Sequence, residues 1–209
     1  MNDISNSTSI RIILASQSRD RKKLFERIMI PFEIRVSSLN EEKFKKEIDN
    51  PIKLVKVLAK EKAKNVKATL NGKQDSLIIA ADTIVEYKNQ IIGKPKNRDD
   101  AFKILKKLMG SHHNLITGIG IAHSTEGDII TDYDITKVKF AGLSDEEIWE
   151  YIATEEWKGR AGAYSIRDRA SLFIERIEGS PSNVIGFPMY KLYSLINDQF
   201  NINLLSLSH

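Results

Sequence analysis

The run Leu77-Ile78-Ile79-Ala80-Ala81 is wholly apolar and ends on a carboxylate, Asp82, before continuing as Thr83-Ile84-Val85-Glu86-Tyr87. That pattern predicts a strand buried on both faces. Tyr87-Lys88-Asn89-Gln90 reads as a hairpin turn, and Gln90-Ile91-Ile92 resumes the strand. Upstream, Ile10 to Ala15 reads as a short strand, Arg19 to Ile28 as a helix with Leu24, Phe25 and Ile28 on its apolar side, and Phe32 to Val36 as an alternating strand. Ser37 to Glu42 reads as a polar loop holding carboxylates. Asn50-Pro51 opens a long helix, with Asn as cap and Pro at its first position.

Downstream, Arg98-Asp99-Asp100 starts a helix whose apolar side is Ala101, Phe102, Leu105, Leu108 and Met109, with Gly110 as its stop. His112-His113 is read as loop. Asn114 to His123 and Ile129 to Phe140 are predicted strands joined by Glu126-Gly127-Asp128, and Ser144-Asp145-Glu146-Glu147 is a capping box. Ser171 to Ile177 is strand-like, and Asn183 to Pro188 is a loop before a last amphipathic helix carrying Met189, Leu192, Tyr193 and Ile196. Two hairpin-linked strand pairs among several helices predict an α/β fold with a mixed sheet flanked by helices, and the glycines and short loops between its halves predict a cleft there. Residues 1–209 form a single domain on this reading, with 1–9 a disordered leading segment.

Four places carry candidate chemistry. A buried ionised carboxylate such as Asp82 is costly unless it is paired, hydrogen-bonded or bound to a metal. Lys94 is a candidate partner. A two-residue loop at Lys88-Asn89 pairs Thr83 with Lys94; a three-residue loop pairs Ile84 with Lys94 and puts Asp82 and Lys94 on one face. A structural ion pair on an edge hairpin is the alternative. Ser16-Gln17-Ser18 leads a strand into a helix with Ser18 as N-cap, and Arg19 and Arg21 add positive potential, which suits a phosphate; an ordinary capped helix has the same residues. Lys62 continues the apolar row Leu54 and Leu58, so it either snorkels or faces an anion. Glu41 belongs to a carboxylate cluster that could serve a metal or be solvated surface. His112 and His113 diverge as neighbours and have no third ligand close by in sequence.

A formal charge of +4 favours anionic ligands in general, without the long basic blocks of a nucleic-acid binder. Cysteine is absent, which excludes disulfides and thiolate metal sites. No apolar run is long enough to span a membrane and the start lacks a signal-peptide pattern, so cytoplasm is the expected location.

Taken in order, Leu14-Ala15-Ser16-Gln17-Ser18 with Arg21, Glu41, Ala59-Lys60-Glu61-Lys62-Ala63, Ala81-Asp82-Thr83, Gly93-Lys94-Pro95, Thr117-Gly118, Ala161-Gly162-Ala163-Tyr164 and Asn183-Val184-Ile185-Gly186-Phe187-Pro188 resemble the Maf family of nucleoside triphosphate pyrophosphatases. The resemblance implies hydrolysis of a nucleoside triphosphate, standard or modified, to monophosphate and pyrophosphate with a divalent cation, Mg or Mn. It implies a fold similar to inosine triphosphate pyrophosphatases, a mixed twisted sheet flanked by helices in two lobes around a central cleft, and often a homodimer. Carried over, Asp82 is the general base and Ser16, Arg21, Lys62 and Lys94 match triphosphate-contacting positions. Glu41 matches an acidic position near the metal, which it would hold with Asp82. Ser18, Asp20, Thr83 and Arg167 fall at substrate-side positions.

Three residues depart from that pattern, and a fourth bears on the base. Arg19 replaces a proline usual at the first helical position. Asp20 stands where the branch favouring thymidine and uridine triphosphates often has arginine, and Arg167 where it usually has glutamine; Thr83 matches that branch. An Asp20–Arg167 pair would reconcile the two charge changes. The alternative reading is a nucleotide-binding regulator of cell division without turnover, and a basic nucleic-acid-binding protein ranks last.

Overall fold

The sheet is assembled around the strand that ends its apolar run on Asp82. In the computed structural model, which describes residues 10–70, 74–125 and 127–207, this strand is β3 (Ser76–Tyr87), preceded in the chain by β1 (Arg11–Leu14) and β2 (Phe32–Ile34). The later strands are β4 (Gln90–Ile92), β5 (His112–His123), β6 (Ile130–Phe140) and β7 (Ile174–Glu178). Seven strands form one mixed sheet in the order β2-β1-β3-β5-β6-β7, with β4 also on β3. β1 is parallel to both β2 and β3, whereas β3–β4, β3–β5, β5–β6 and β6–β7 are antiparallel.

One detail of this topology places the site. β1 pairs with β3 only from Ser76 to Ile79, and β4 pairs with it only from Val85 to Tyr87. Between them, Ala80 to Ile84 have β5 on one side and no described strand on the other. Asp82 lies in the middle of this break.

Helices cover both faces. They are α1 (Arg19–Arg27), α2 (Glu41–Glu47), α3 (Pro51–Lys67), α4 (Arg98–Leu108), α5 (Asp145–Ala153), α6 (Pro181–Ile185) and α7 (Met189–Phe200). Even-numbered β3 residues Ile78 and Ala80 pack with Ala63 and Val66 of α3, and Ile84 packs with Val55. Odd-numbered Leu77, Ile79 and Ala81 pack with Leu24 and Phe25 of α1 and Leu192 and Ile196 of α7. A further cluster joins Val85 to α4, α5 and the aromatic side chains Phe140, Tyr164 and Phe173. α3 approaches the sheet closely because β5 offers no side chain there: a Cβ on Gly118 would stand 2.2 Å from the Val55 carbonyl oxygen, and one on Gly120 2.6 Å from that of Ala59.

Four local expectations are corrected. The last two residues of the polar segment expected as loop, Glu41 and Glu42, start α2, a helix with no buried residue, held by these two in its first turn, Lys45 and Lys46 in its last, and Lys45 ion pairs to Glu41 and Glu42. His112 and His113 begin β5, and His113 points inward. The expected 183–188 loop contains the end of α6, which Ser180 caps and Pro181 starts. Ile28, placed on the apolar side of α1, is its exposed C-cap. In addition, Ser171 and Leu172 belong to a short 3-10 turn before β7 starts. The leading segment 1–9 and Glu126 of the β5–β6 turn lie outside the described residues.

Candidate active site

The N-terminus of α1 supplies the first part. The Ser18 hydroxyl accepts from the Arg21 N–H at 3.4 Å, and the Ser16 hydroxyl accepts from the Ser18 N–H at 3.2 Å. The chain entering the helix is thereby bent back over Ser16, which is buried. α3 supplies the second part. Leu54 and Leu58 are buried beneath the row that Lys62 continues, and Lys62 neither snorkels nor reaches water freely. Its ammonium donates to Asp82 Oδ1 at 2.6 Å and stands 2.8 Å from Glu41 Oε1, with the side chain 12% exposed. The third part is Glu41, at the first position of α2. Partial burial alone would raise its carboxyl, but hydrogen bonds and charge from Lys62 and Lys45 outweigh that and hold it below the ordinary value.

The hairpin adopts the two-residue loop: Val85 faces Ile92, Glu86 faces Ile91, and Tyr87 faces Gln90. Lys88 and Asn89 both have positive φ, 51° and 62°, the left-handed geometry of a type I′ turn. β4 ends at Ile92, so Lys94 lies two residues beyond the ladder, exposed, at the open end of the break. The Gly93 carbonyl is held by the Gly162 N–H at 3.3 Å. The cation on Asp82 is therefore Lys62, from a distant helix, rather than Lys94 from the neighbouring strand.

Arg21 crosses the same break. Its Nε donates to the Gly186 carbonyl at 2.8 Å, Nη1 to the Ala81 carbonyl at 2.9 Å and to Ser16 Oγ at 3.3 Å, and Nη2 to Thr83 Oγ1 at 2.9 Å. Burial pushes this guanidinium's pKa down, against the raising influence of Asp82, Glu41 and Asp20. Thr83 Oγ1 is also 2.9 Å from Thr117 Oγ1 across the β3–β5 ladder. Gly186, with φ +113°, ends α6 and turns its carbonyl toward Arg21.

Asp20 and Arg167 come together as expected, but with company. Arg167 Nη1 is 3.8 Å from Asp20 Oδ1, and its Nη2 donates to the Asp20 backbone carbonyl at 3.3 Å. The nearer side-chain partner of Asp20 is Arg160, which also stands 3.4 Å from Asp168. Sequence reasoning missed Arg160. Its only signal is a basic residue directly before Ala161-Gly162-Ala163, a stretch fixed against β3, where a Gly162 Cβ would meet Val85 at 2.9 Å. An open hollow of about 430 Å³ lies beside this network, lined by Lys23, Glu26, Arg27 and Arg167; none of Asp82, Lys62 and Lys94 lines it.

The donor set suits a hard cation in one respect. Two carboxylates, Glu41 and Asp82, converge on one point now held by an ammonium. Magnesium and manganese take few protein carboxylates and complete their shell with water and phosphate oxygens. Among the described residues, no group of three or more His, Cys, Asp or Glu side chains gathers to cage a metal by itself. No helix among them is long and apolar enough to cross a membrane.

A family model described as Maf-like protein matches residues 11–199. Relatives named dTTP/UTP pyrophosphatase match over most of the chain, three of them as follows. That from Alkaliphilus oremlandii is 45% identical over 195 residues, covering 93% of this chain and 99% of its own. That from Caldanaerobacter subterraneus is 42% identical over 193 residues, covering 92% and 91%. That from Clostridium botulinum strain Kyoto is 40% identical over 187 residues, covering 88% and 95%.

Proposed function

This chain belongs to the Maf-like protein family, and from that premise we propose that it is a nucleoside triphosphate pyrophosphatase acting on pyrimidine nucleotides, of the kind its dTTP/UTP-named relatives act on. The observation that carries the reading is the Glu41–Lys62–Asp82 cluster at the break in the sheet, next to the residues that Arg21 of α1 grips.

Asp82 is the general base. It takes a proton from a water whose oxygen bonds to the α-phosphorus as the bond from that phosphorus to the bridging oxygen breaks. Pyrophosphate leaves and the monophosphate remains. Transfer of this kind depends on positioning and on stabilising charge spread over phosphate oxygens. Lys62 and Lys94 supply ammonium charge, and Ser16, Ser18 and the N-terminus of α1 supply donors. Lys62 also compensates the buried charge on Asp82, so that the carboxylate is tolerated in an apolar strand. Family membership implies dependence on a divalent cation; Glu41 and Asp82 would hold it, and it would neutralise phosphate charge. Thr83 and the Asp20–Arg160–Arg167 network are assigned to base preference, on the strength of the substrate-side positions that Asp20, Thr83 and Arg167 match in the family pattern.

The test is a panel of pyrimidine and purine triphosphates with Mg or Mn, the products being identified. Monophosphate and pyrophosphate from dTTP or UTP, lost by at least a hundredfold in Asp82→Asn, support the reading. Diphosphate as product, or an undiminished Asp82→Asn, overturns it.

A further inference from the structure

A strand that loses a neighbour must satisfy its outward backbone groups some other way. β3 loses β1 after Ile79 and does not meet β4 until Val85. Arg21 fills that interval. Its two terminal nitrogens reach Ala81 and Thr83, the residues on either side of Asp82. The remaining contacts tie the same group to Ser16 before α1 and to Gly186 after α6.

A guanidinium has five N–H donors. Here four are directed at acceptors of the protein itself, in three separate stretches of chain. Bidentate recognition of a phosphate takes two parallel donors from one edge of the fork, and no edge of Arg21 keeps two free. We infer that Arg21 is a positioning residue: it stands in for the missing strand across the break, gripping the backbone carbonyl of Ala81 on one side of Asp82 and the side-chain hydroxyl of Thr83 on the other, so that this carboxylate is held toward Lys62 and the attacking water. The inference rests on the proposed role of Asp82 as base, and it assigns Arg21 differently from the triphosphate contact that the family resemblance suggests.

The two roles separate in kinetics. A point-charge contact to phosphate is kept by lysine and lost in glutamine; a forked phosphate contact is lost in both but shows as weaker substrate binding, a higher KM; a positioning fork is lost in both and shows in kcat. Arg21→Lys and Arg21→Gln are therefore compared with wild type on dTTP. Positioning predicts that both lose kcat by tenfold or more while KM stays within about threefold. It also predicts faster amide hydrogen exchange at Ala81 to Thr83 in folded Arg21→Lys, a readout that needs no activity. A near-wild-type Arg21→Lys, or a KM rise of tenfold or more with kcat preserved, overturns it. Unchanged exchange in Arg21→Lys also overturns it. If wild type itself releases no pyrophosphate from any triphosphate, the pyrophosphatase reading fails, while exchange still reports whether Arg21 holds the strand.

Discussion

Arg160 donates to the Asp20 carboxylate across 140 positions of sequence, joining the first turn of α1 to the segment before Ala161-Gly162-Ala163. Arg167 approaches the same carboxylate at 3.8 Å but makes its hydrogen bond to the Asp20 backbone carbonyl, which survives removal of the side chain. The coupling energies should therefore differ. In double-mutant cycles by urea unfolding, Asp20→Ala with Arg160→Ala should give about 1 kcal/mol, since both side chains are roughly three-quarters buried. Asp20→Ala with Arg167→Ala should give less than half of that. Equal couplings would show the two arginines to be interchangeable. On activity, charge reversal of Asp20 should alter the ratio of kcat/KM between dTTP and a purine triphosphate, and the Asp20→Arg, Arg160→Asp double reversal should recover part of the loss.

Lys62 is the sole ammonium shared by Glu41 and Asp82 among the described residues. Lys62→Met leaves two carboxylates facing each other in partly buried surroundings. Breaking a buried pair from one side costs about 3 kcal/mol, because the surviving charge is uncompensated. Adding Glu41→Gln to Lys62→Met removes one of the opposed charges and should restore about 1 kcal/mol of stability without restoring turnover. Chemical denaturation and steady-state kinetics on the same variants check both halves. Recovery of activity in the double variant would remove Lys62 from the catalytic set.

Much of this arrangement was legible in sequence where local rules govern it. The Ser18 cap, the Asn50-Pro51 start, the Ser144 capping box and the buried strand ending on Asp82 each carry their signal within a few residues. Lys62 stood out because it continued an apolar row, yet its partners were not derivable: Glu41 and Asp82 come from other elements, brought within 3 Å by packing. α2 escaped notice because its stability comes from charge pairs and from acidic and basic residues at its ends rather than from apolar periodicity. Arg160 escaped for the same reason as the break in the sheet: both are properties of strand order and long-range register, which periodicity does not encode.

Gly118 shows how packing sets the position of Lys62. An added Cβ would stand 2.2 Å from the Val55 carbonyl oxygen and 2.4 Å from its carbon, both backbone atoms of α3. A flexible side chain could move aside, but a helix must shift as a body. Gly118→Ala should therefore cost about 3 kcal/mol and move Lys62, two turns further along, away from Asp82. Gly142→Ala is the control, since a Cβ there meets nothing within 4 Å. The expected result is a large fall in unfolding midpoint and in kcat for Gly118→Ala and almost none for Gly142→Ala. A stable, active Gly118→Ala would mean that α3 tolerates displacement and that the Lys62–Asp82 contact is not set by this packing.

His113 gives the protein an acid-sensitive core far from the charged cluster. It is buried in β5, with Nε2 2.8 Å from the Tyr164 hydroxyl and its ring edge-on to Phe140 and Tyr164. Burial, with a smaller contribution from His112, pushes its pKa down to about 4. The unfolded chain would bind this proton near pH 6.5, so the folded state holds fewer protons between those values. Stability is then fully present above about pH 6.5 and declines as pH falls toward 4, with a total loss on the order of 3 kcal/mol from this group. His113→Gln removes the titration while keeping a polar partner for Tyr164. Its unfolding free energy should be lower than wild type at pH 7, yet flatter between pH 6.5 and 4, so the two curves converge on acidification. Parallel curves would show that the acid sensitivity resides in other groups, and a melt series across that interval decides between the two outcomes.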